Sequence, residues 1–357
     1  MVDLGWVDGK RRRKYTKKAT QRAAVEWVRE TLNAKRSGRL VGRSVTLDEW
    51  FELYLREVAG PKVRPSTLAN YQRDARLHIL PSLGRLSLEQ LAPQHLTRLY
   101  AAKRDEGLSA ASVRHLHATV RRSLNVAMRW ALVGRNVALL VEPPARTEYE
   151  VKPLSVVEAR TMLAAARTDR LEARWVVGLS LGLRQGEALG LWWDDVDLEA
   201  GTLRVRRQLA RTRGSAPAEF AALKSARSRR TLSLPTSLVT VLREHRARQA
   251  GEQLSAPSWA DARLVFATPL GTPIDSSNDA RAFKSLLRRA GVRPVRLHDL
   301  RHTAATLLLA QGMHPRVVME VLGHSQISLT MNTYAHVMPS LLDEAAASME
   351  TSLWGLQ

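Results

Sequence analysis

Six side chains in the second half of the chain have the chemistry needed to bind and attack a phosphate diester. Arginine and lysine donate charged hydrogen bonds to phosphate oxygens, and imidazoles can donate as well. A tyrosine hydroxyl becomes a nucleophile once it loses its proton. Gathered around one phosphate, these groups would be suited to breaking and rejoining DNA without a metal ion. The six candidates are Arg184, Lys224, His298, Arg301, His324 and Tyr334.

The spacing of neighbouring residues supports two local arrangements. Glu187 follows Arg184 by one helical turn, so its carboxylate can hold the guanidinium in place. His298 and Arg301 fall on the same face of a predicted helix, and we interpret His302 beside them as structural. Each pair alone is common on helix surfaces, so the chemical interpretation depends on the occurrence of four such segments in one chain. The four segments are LGLRQGEALGLWWDDVD from Leu181, LKSARSRRTLSLP from Leu223, LHDLRHTAAT from Leu297 and LGHSQISLTMNTYAHV from Leu322.

In this order, with a Gly-His pair before Tyr334, the segments resemble the tyrosine recombinase (phage integrase) family. The resemblance covers roughly residues 44–340 and is most specific in the second half. It implies a site-specific recombinase that integrates or excises a phage or other mobile element through a 3′-phosphotyrosyl intermediate and a Holliday junction. It also implies a homotetramer on double-stranded attachment-site DNA, with a host DNA-bending protein and an excision factor as candidate partners.

The resemblance assigns a role to each of the six residues. Tyr334 would be the nucleophile, and its phenol, with an ordinary pKa of about 10, must lose its proton during attack. Arg184 and Arg301 would clamp the non-bridging oxygens, where negative charge grows in the transition state.

The remaining positions would move protons or orient these groups. Lys224 would protonate the leaving 5′ oxygen, and His298 would assist proton removal from the tyrosine or bind the phosphate. His324 would donate to a phosphate oxygen, and Glu187 would orient an arginine or a histidine. The family implies no cofactor, no metal and no ATP, since a phosphotyrosine diester retains the energy of the broken bond.

Composition indicates a nucleic-acid partner. Among 357 residues, Lys and Arg exceed Asp and Glu by enough to give a net charge of +21, which favours a polyanion over an anionic membrane. The chain has no cysteine, so disulfides, thiolate metal sites and cysteine nucleophiles are excluded. No apolar run approaches a membrane span. We therefore expect a soluble protein of the bacterial cytoplasm, associated with the nucleoid.

The length predicts two or three domains, and the periodicity predicts a multidomain, mainly α fold with a small antiparallel β-sheet. Strands are expected at residues 202–208 and 230–234, joined by a long hairpin that carries Lys224. The expected divisions are a basic segment (1–43), a helical core-binding domain (44–142), a linker (143–153), the catalytic domain (154–340) and a C-terminal tail (341–357) that could dock on a neighbouring protomer or pack within its own domain.

Capping signals define the helices of the core-binding domain. Thr46 and Glu49 form a capping box, as do Ser155 and Glu158 at the start of the catalytic domain. A helix opening at residues 65–66 is expected to end at Pro81. Another is expected at 94–103, and Ser109 should cap the fourth. That fourth helix carries three arginines predicted to contact DNA: Arg114, Arg121 and Arg122.

The first 43 residues depart from the family pattern. Larger integrases have an arm-binding domain with a three-stranded sheet before a helix, and here we expect room for only about the last strand and the helix. The segment would be a shortened module or a flexible basic tail. Its predicted DNA contacts are Lys10, Arg11, Arg12, Arg13 and Lys14.

Other functions remain open on the sequence. A DNA-binding architectural or regulatory protein would share the basic charge without strand cleavage, and a chromosome-dimer resolvase would share the whole site. A metal-dependent nuclease or transposase could use His298, His302 and His324 as ligands. We interpret the acidic cluster of Asp194 and its neighbours Asp195 and Asp197 as a helix-terminal and turn feature and not as a metal site.

Overall fold

The protein forms two compact units, Met1–Tyr149 and Glu150–Gln357. Both are mainly helical and contain small antiparallel sheets, which confirms the predicted fold class. Within its described part, no helix is long and apolar enough to cross a membrane. The computed structural model describes residues 2–7, 10–36, 45–145, 152–210, 219–223, 228–261, 263–323, 347 and 349–355.

The first unit begins with a β-hairpin followed by a helix. Strand β1 (Val2–Val7) pairs antiparallel with β2 (Lys10–Lys14), and α1 (Gln21–Arg36) follows. The expectation of a single strand before the helix is therefore wrong. The alternation of Val, Leu and Trp along β1 is the period-two signal of a strand, and Asp-Gly, the dipeptide between the strands in the sequence, favours a two-residue hairpin loop.

A bundle of helices makes up the rest of the first unit. Side chains cap two of them as predicted, since Thr46 and Glu49 form a capping box and Ser109 accepts from Ser112 N. The helices are α2 (Leu47–Leu53), α3 (Pro65–Asp74), α4 (Leu80–Leu83), α5 (Pro93–Asp105) and α6 (Ala110–Arg129), with π turns at Tyr54–Ala59 and Ala75–Ile79 and a 3-10 turn at Val137–Leu140.

Pro81 does not end the helix that begins at Pro65, so this prediction is wrong. The π turn at Ala75–Ile79 brings Leu80 N to Ala75 O, and α4 starts directly after it. Pro81 then stands in the first turn of α4, directly after the π turn. The chain therefore remains helical to Leu83.

The core of the first unit is aromatic at its centre. Trp50 and Phe51 on α2 are completely buried, and the Trp50 ring lies edge-on to Trp130 with 5.6 Å between centroids. The apolar stripe of α6, including Val113 and Val120, is buried in the same cluster. This stripe leaves the arginines of α6 to other faces of the helix.

The second unit contains the segments with the candidate catalytic residues. Ser155 and Glu158 form the predicted capping box at the start of its first helix. Trp175 and Phe283 pack together in its core, with 5.5 Å between their ring centroids. Its helices are α7 (Val156–Ala166), α8 (Glu172–Ser180), α9 (Gln185–Leu189), α10 (Thr236–Ser255), α11 (Ser276–Arg289), α12 (Asp299–Ala310) and α13 (Pro315–Leu322).

Two antiparallel sheets lie between α9 and α10. Residues 202–208 were predicted as one strand, but they form parts of two strands that lie in different sheets and are separated at Arg206. Arg207, just after this break, binds Asp195 and stacks on Trp192, with its guanidinium 3.6 Å from the ring centroid. One sheet has the order β3-β4-β7 and the other pairs β5 with β6. The strands are β3 (Val196–Asp197), β4 (Thr202–Val205), β5 (Arg207–Ala210), β6 (Glu219–Ala222) and β7 (Arg230–Ser233).

Candidate active site

Arg184 stands at the N-cap of α9 and is held there by Glu187. The carboxylate accepts from the Arg184 backbone N–H through Oε2 at 3.1 Å and from Arg184 Nη1 through Oε1 at 2.6 Å. The predicted contact between the two side chains is therefore confirmed. The arginine side chain keeps 37% of its surface exposed, whereas that of Glu187 keeps 2%. The buried carboxylate of Glu187 thus orients the guanidinium of Arg184, which remains accessible at the surface.

Two glycines let α9 press against the β5–β6 hairpin. A Cβ atom on Gly186 would lie 2.9 Å from Leu209 O, and one on Gly190 would lie 2.8 Å from Leu209 N. Real side chains do not fit at such distances, so both positions require glycine. On its other side α9 is anchored by Gln185, whose Nε2 donates to Ser276 O at 2.7 Å and to Asp279 Oδ2 at 3.0 Å.

Arg301 lies on the first turn of α12 and meets the segment that leads to Arg184. Its Nη1 donates to Gly182 O at 2.8 Å, and the residue is 2% exposed. Gly182 has a φ of +58°, and a Cβ there would lie 2.5 Å from Leu322 Cδ2. Arg184 Nη2 in turn donates to Gly323 O at 3.0 Å. The two predicted arginines therefore converge around Gly182 and the end of α13.

His298 joins this cationic group at the N-cap of α12. Desolvation lowers its pKa to about 4, helped by His302, Arg301 and Arg184 and opposed by Asp299. The His302 ring stands perpendicular to it, 5.1 Å away between centroids. His298 is therefore neutral at pH 7, which leaves one ring nitrogen able to accept a proton.

One residue of this region was missed in the sequence. Arg230, at the start of β7, donates from Nη2 to Glu187 Oε2 at 3.0 Å. Burial raises the pKa of the Glu187 carboxyl, but Arg230 and Arg184 outweigh that effect and hold it below its ordinary value. Nothing in the local sequence distinguishes Arg230 from Arg229, so only the fold identifies it.

The other predicted catalytic residues, Lys224, His324 and Tyr334, lie outside the described residues. The described chain ends at Leu223 before the first and at Gly323 before the second. Gly323 caps α13 in the left-handed conformation, with a φ of +66°. Gly323, the residue before His324 in the sequence, therefore lies directly beside Arg184 and Arg230.

The arginines predicted to bind DNA lie on α6. Arg121 and Arg122 are exposed, although Arg122 also donates to the Tyr71 hydroxyl. Arg114 Nη1 donates to Pro144 O at 2.9 Å, which ties this helix to the end of its own unit. The predicted contacts at residues 10–14 fall on β2.

The acidic cluster has structural roles, as predicted. Asp197 Oδ1 accepts from the backbone N–H groups of Glu199 at 3.0 Å and Ala200 at 2.8 Å, which closes a turn. Asp195 is buried and binds Arg207. Among the residues with described positions, no three His, Asp or Glu side chains form a group that could hold a metal ion.

Two family models match this chain. The family model described as "Phage integrase family" matches residues 153–340, and the one described as "Phage integrase, N-terminal SAM-like domain" matches residues 46–103. The integrase of Saccharopolyspora erythraea is 31% identical, with 98% of this chain and 92% of that protein covered.

Two solved structures show the same fold. The Tn1549 transposon integrase in complex with a circular intermediate DNA has a TM-score of 0.72 at 21% identity, over 86% of this chain and 99% of that one. The lambda integrase tetramer bound to a Holliday junction has a TM-score of 0.61 at 18% identity, over 91% of this chain and 89% of that one.

Proposed function

This chain belongs to the phage integrase family of tyrosine-type site-specific recombinases, and from that premise we propose that it integrates or excises a mobile DNA element. The reaction cuts and rejoins duplex DNA at attachment sites. The observation that carries the proposal is the convergence of Arg184 and Arg301 around Gly182 and Gly323. Two guanidiniums at one place bind the two non-bridging oxygens of a single phosphate.

Strand cleavage is a transesterification. The Tyr334 oxygen attacks the scissile phosphorus, the bond to the 5′ oxygen breaks, and a 3′-phosphotyrosine forms. The phenolic proton passes to a ring nitrogen of His298, which is neutral at pH 7. Lys224 donates a proton to the leaving 5′ oxygen, so charge and atoms balance. Because a phosphodiester is kept throughout, rejoining by another 5′ hydroxyl needs no ATP.

The remaining residues stabilise the charge that develops on the phosphate. Arg184 and Arg301 bind the non-bridging oxygens, and His324 donates to one of them. Preorganised donors of this kind act where charge appears in the transition state. Glu187 keeps Arg184 in position through its 2.6 Å ion pair. No step in this scheme uses a metal ion or a cofactor.

Recombination requires several copies of the chain on two DNA partners. Lambda integrase, which shares the fold, forms a tetramer bound to a Holliday junction, and we infer the same assembly here, acting on chromosomal DNA in the bacterial cytoplasm. The C-terminal tail, residues 341–357, supplies a contact with the neighbouring protomer. In its described part, Met349, Leu353 and Trp354 are 57%, 61% and 70% exposed, which supports a partner for this face.

DNA contacts outside the active site come from the first unit. Residues 44–142 form the core-binding domain, joined by the linker 143–153 to the catalytic domain 154–340, and Arg114, Arg121 and Arg122 of α6 bind phosphates. Residues 1–43 form an arm-type module in which β2 carries the basic residues from Lys10 to Lys14. The hairpin followed by a helix, observed at β1, β2 and α1, supports this role.

A nicked duplex from the junction of the element with its flanking DNA tests the proposal. The nick lets the cleaved fragment diffuse away, so a covalent protein–DNA adduct accumulates. The wild-type protein should form the adduct in excess EDTA and without ATP. Tyr334→Phe should bind the same duplex with similar affinity and form none. Adduct formation that stops on chelation and returns with Mg²⁺ would instead support a metal-dependent nuclease.

A further inference from the structure

Arg230 joins three separate elements of the second unit. From the start of β7, Nη2 reaches Glu187 on α9 at 3.0 Å, and Nε reaches Val321 O on α13 at 2.7 Å. Its third nitrogen, Nη1, donates to Ser228 O at 3.0 Å. The Arg230 side chain is 7% exposed, against 37% for Arg184. Because all three nitrogens of this guanidinium are bound to protein atoms, it is placed to organise the site and not to contact substrate.

The first consequence concerns the charge on Arg184. One carboxylate, that of Glu187, pairs with two guanidiniums through its two oxygens, so the group carries a net charge of +1. Without Arg230, the negative charge of Glu187 would be paired with Arg184 only, and the pair would carry no net charge. Because charges in a poorly solvated site interact strongly, Arg230 leaves Arg184 with positive charge to offer to an anion.

The second consequence concerns the end of α13. Arg230 binds Val321 O, and Arg184 binds Gly323 O at 3.0 Å. A Cβ on Gly323 would lie 3.0 Å from Arg230 Nη1, so the turn rests against this side chain. Two arginines from different elements thereby fix the turn from which the chain leads to His324.

We propose that Arg230 is a positioning residue for strand cleavage, which balances the charge of Glu187 and holds Arg184 and the Gly323 turn in one arrangement. This proposal rests on the proposed recombinase function. Arg230 acts through Arg184 and the chain around Gly323, and it makes no contact with the phosphate. Its contribution should therefore appear in the rate of cleavage and hardly in the affinity for DNA.

The test compares adduct formation on the nicked duplex at saturating protein for Arg230→Ala, Arg230→Gln and a control, Arg229→Ala. Arg229 is the exposed neighbour of Arg230, so its loss removes the same charge from the same strand region. We expect Arg230→Ala to slow cleavage by about 10²-fold, the effect of misplacing a catalytic group. Its dissociation constant for the duplex should stay within about threefold of that of the Arg229 variant.

A second change separates positioning from a general loss of structure. In the Arg230→Ala background, Glu187→Gln removes the excess negative charge and keeps an oxygen that can accept from Arg184. The double variant should cleave faster than Arg230→Ala alone by about tenfold, one pKa unit's worth of interaction. A merely structural role predicts a double variant as slow as the single one or slower.

The outcomes distinguish this proposal from the function on which it rests. No adduct with the wild-type protein would overturn the recombinase function itself. An adduct with the wild type and an equal rate with Arg230→Ala would overturn only the positioning role, as would a double variant with no gain. If Arg230→Ala does not fold, Arg230→Gln provides the same comparison, alone and with Glu187→Gln.

Discussion

Nη2 of Arg174 on α8 lies 3.0 Å from Oδ2 of Asp279 on α11, and both side chains are almost completely buried. The same carboxylate oxygen accepts from Gln185 Nε2 at 3.0 Å. This ion pair therefore connects two core helices to the residue that follows Arg184 in the chain. One buried carboxylate therefore links the core of the second unit to the candidate site.

Removing this carboxylate should destabilise the second unit strongly. Asp279→Ala leaves Arg174 as an uncompensated buried cation, a change that costs about 3–5 kcal/mol. Glu199→Ala is the matched control, since it breaks an ion pair with Arg243 in which the side chains are 89% and 53% exposed, worth at most about 1 kcal/mol. Urea unfolding of the full chain measures both. Similar losses in the two variants would show that the buried pair has no special role.

The buried imidazole of His298 should make stability depend on pH. Its folded-state pKa is lowered to about 4, whereas in the unfolded chain it is about 6.5. At pH values between these two pKa values, the imidazole is protonated in the unfolded chain but not in the folded protein. The folded protein therefore loses stability as the pH falls from about 6.5 towards 4. His302, whose pKa is also lowered by desolvation, adds an effect of the same sign.

Thermal unfolding at pH 7 and pH 5 measures this effect. The midpoint of wild-type protein should fall more between the two values than that of His298→Gln, which has no imidazole to titrate. An equal fall in both proteins would mean that His298 has similar proton affinities in the folded and unfolded states.

Deleting residues 1–43 should leave cleavage at a minimal core site intact, because the core-binding domain, the catalytic domain and the candidate catalytic residues remain. If the segment is an arm-type module, one distal footprint and recombination of full-length sites are lost, with little change at the core. If it is a basic tail, binding to all DNA weakens and the dependence of affinity on salt becomes shallower.

Footprinting both proteins on attachment-site DNA over a range of salt distinguishes these cases. The hairpin β1–β2 with its helix α1 favours loss of a distal footprint. An unchanged footprint, salt dependence and recombination yield would show that the segment has no role in DNA binding.

Local signals in the sequence predicted the features that depend on neighbouring residues. The capping boxes at Thr46 and Ser155 and the Arg184–Glu187 contact were predictable because each is formed within one helical turn. The predicted helix end at Pro81 was wrong because a π turn precedes this proline and the helix continues through it. A proline in the sequence does not by itself indicate such a turn.

Features that depend on distant segments were not predictable. Arg230 is separated by many residues from Glu187 and Val321, and its identity as their partner follows only from β7 lying beside α9 and α13. The buried pair of Arg174 and Asp279 is similar, since either residue alone predicts a surface charge. The resemblance identified residues expected to react, whereas the fold identified those that hold them.

The identity of the residue that becomes linked to DNA decides whether Tyr334 is the nucleophile. The chain has neither Lys nor Arg after Arg316, and Tyr334 is the only tyrosine among residues 317–357. Trypsin therefore leaves this tyrosine in a single C-terminal peptide, and mass spectrometry of the digested adduct identifies the attachment. We predict DNA on the peptide 317–357, through a 3′ phosphate. DNA on any other peptide, or cleavage of the attachment site with no linked peptide at all, would contradict the assignment of Tyr334 as the nucleophile.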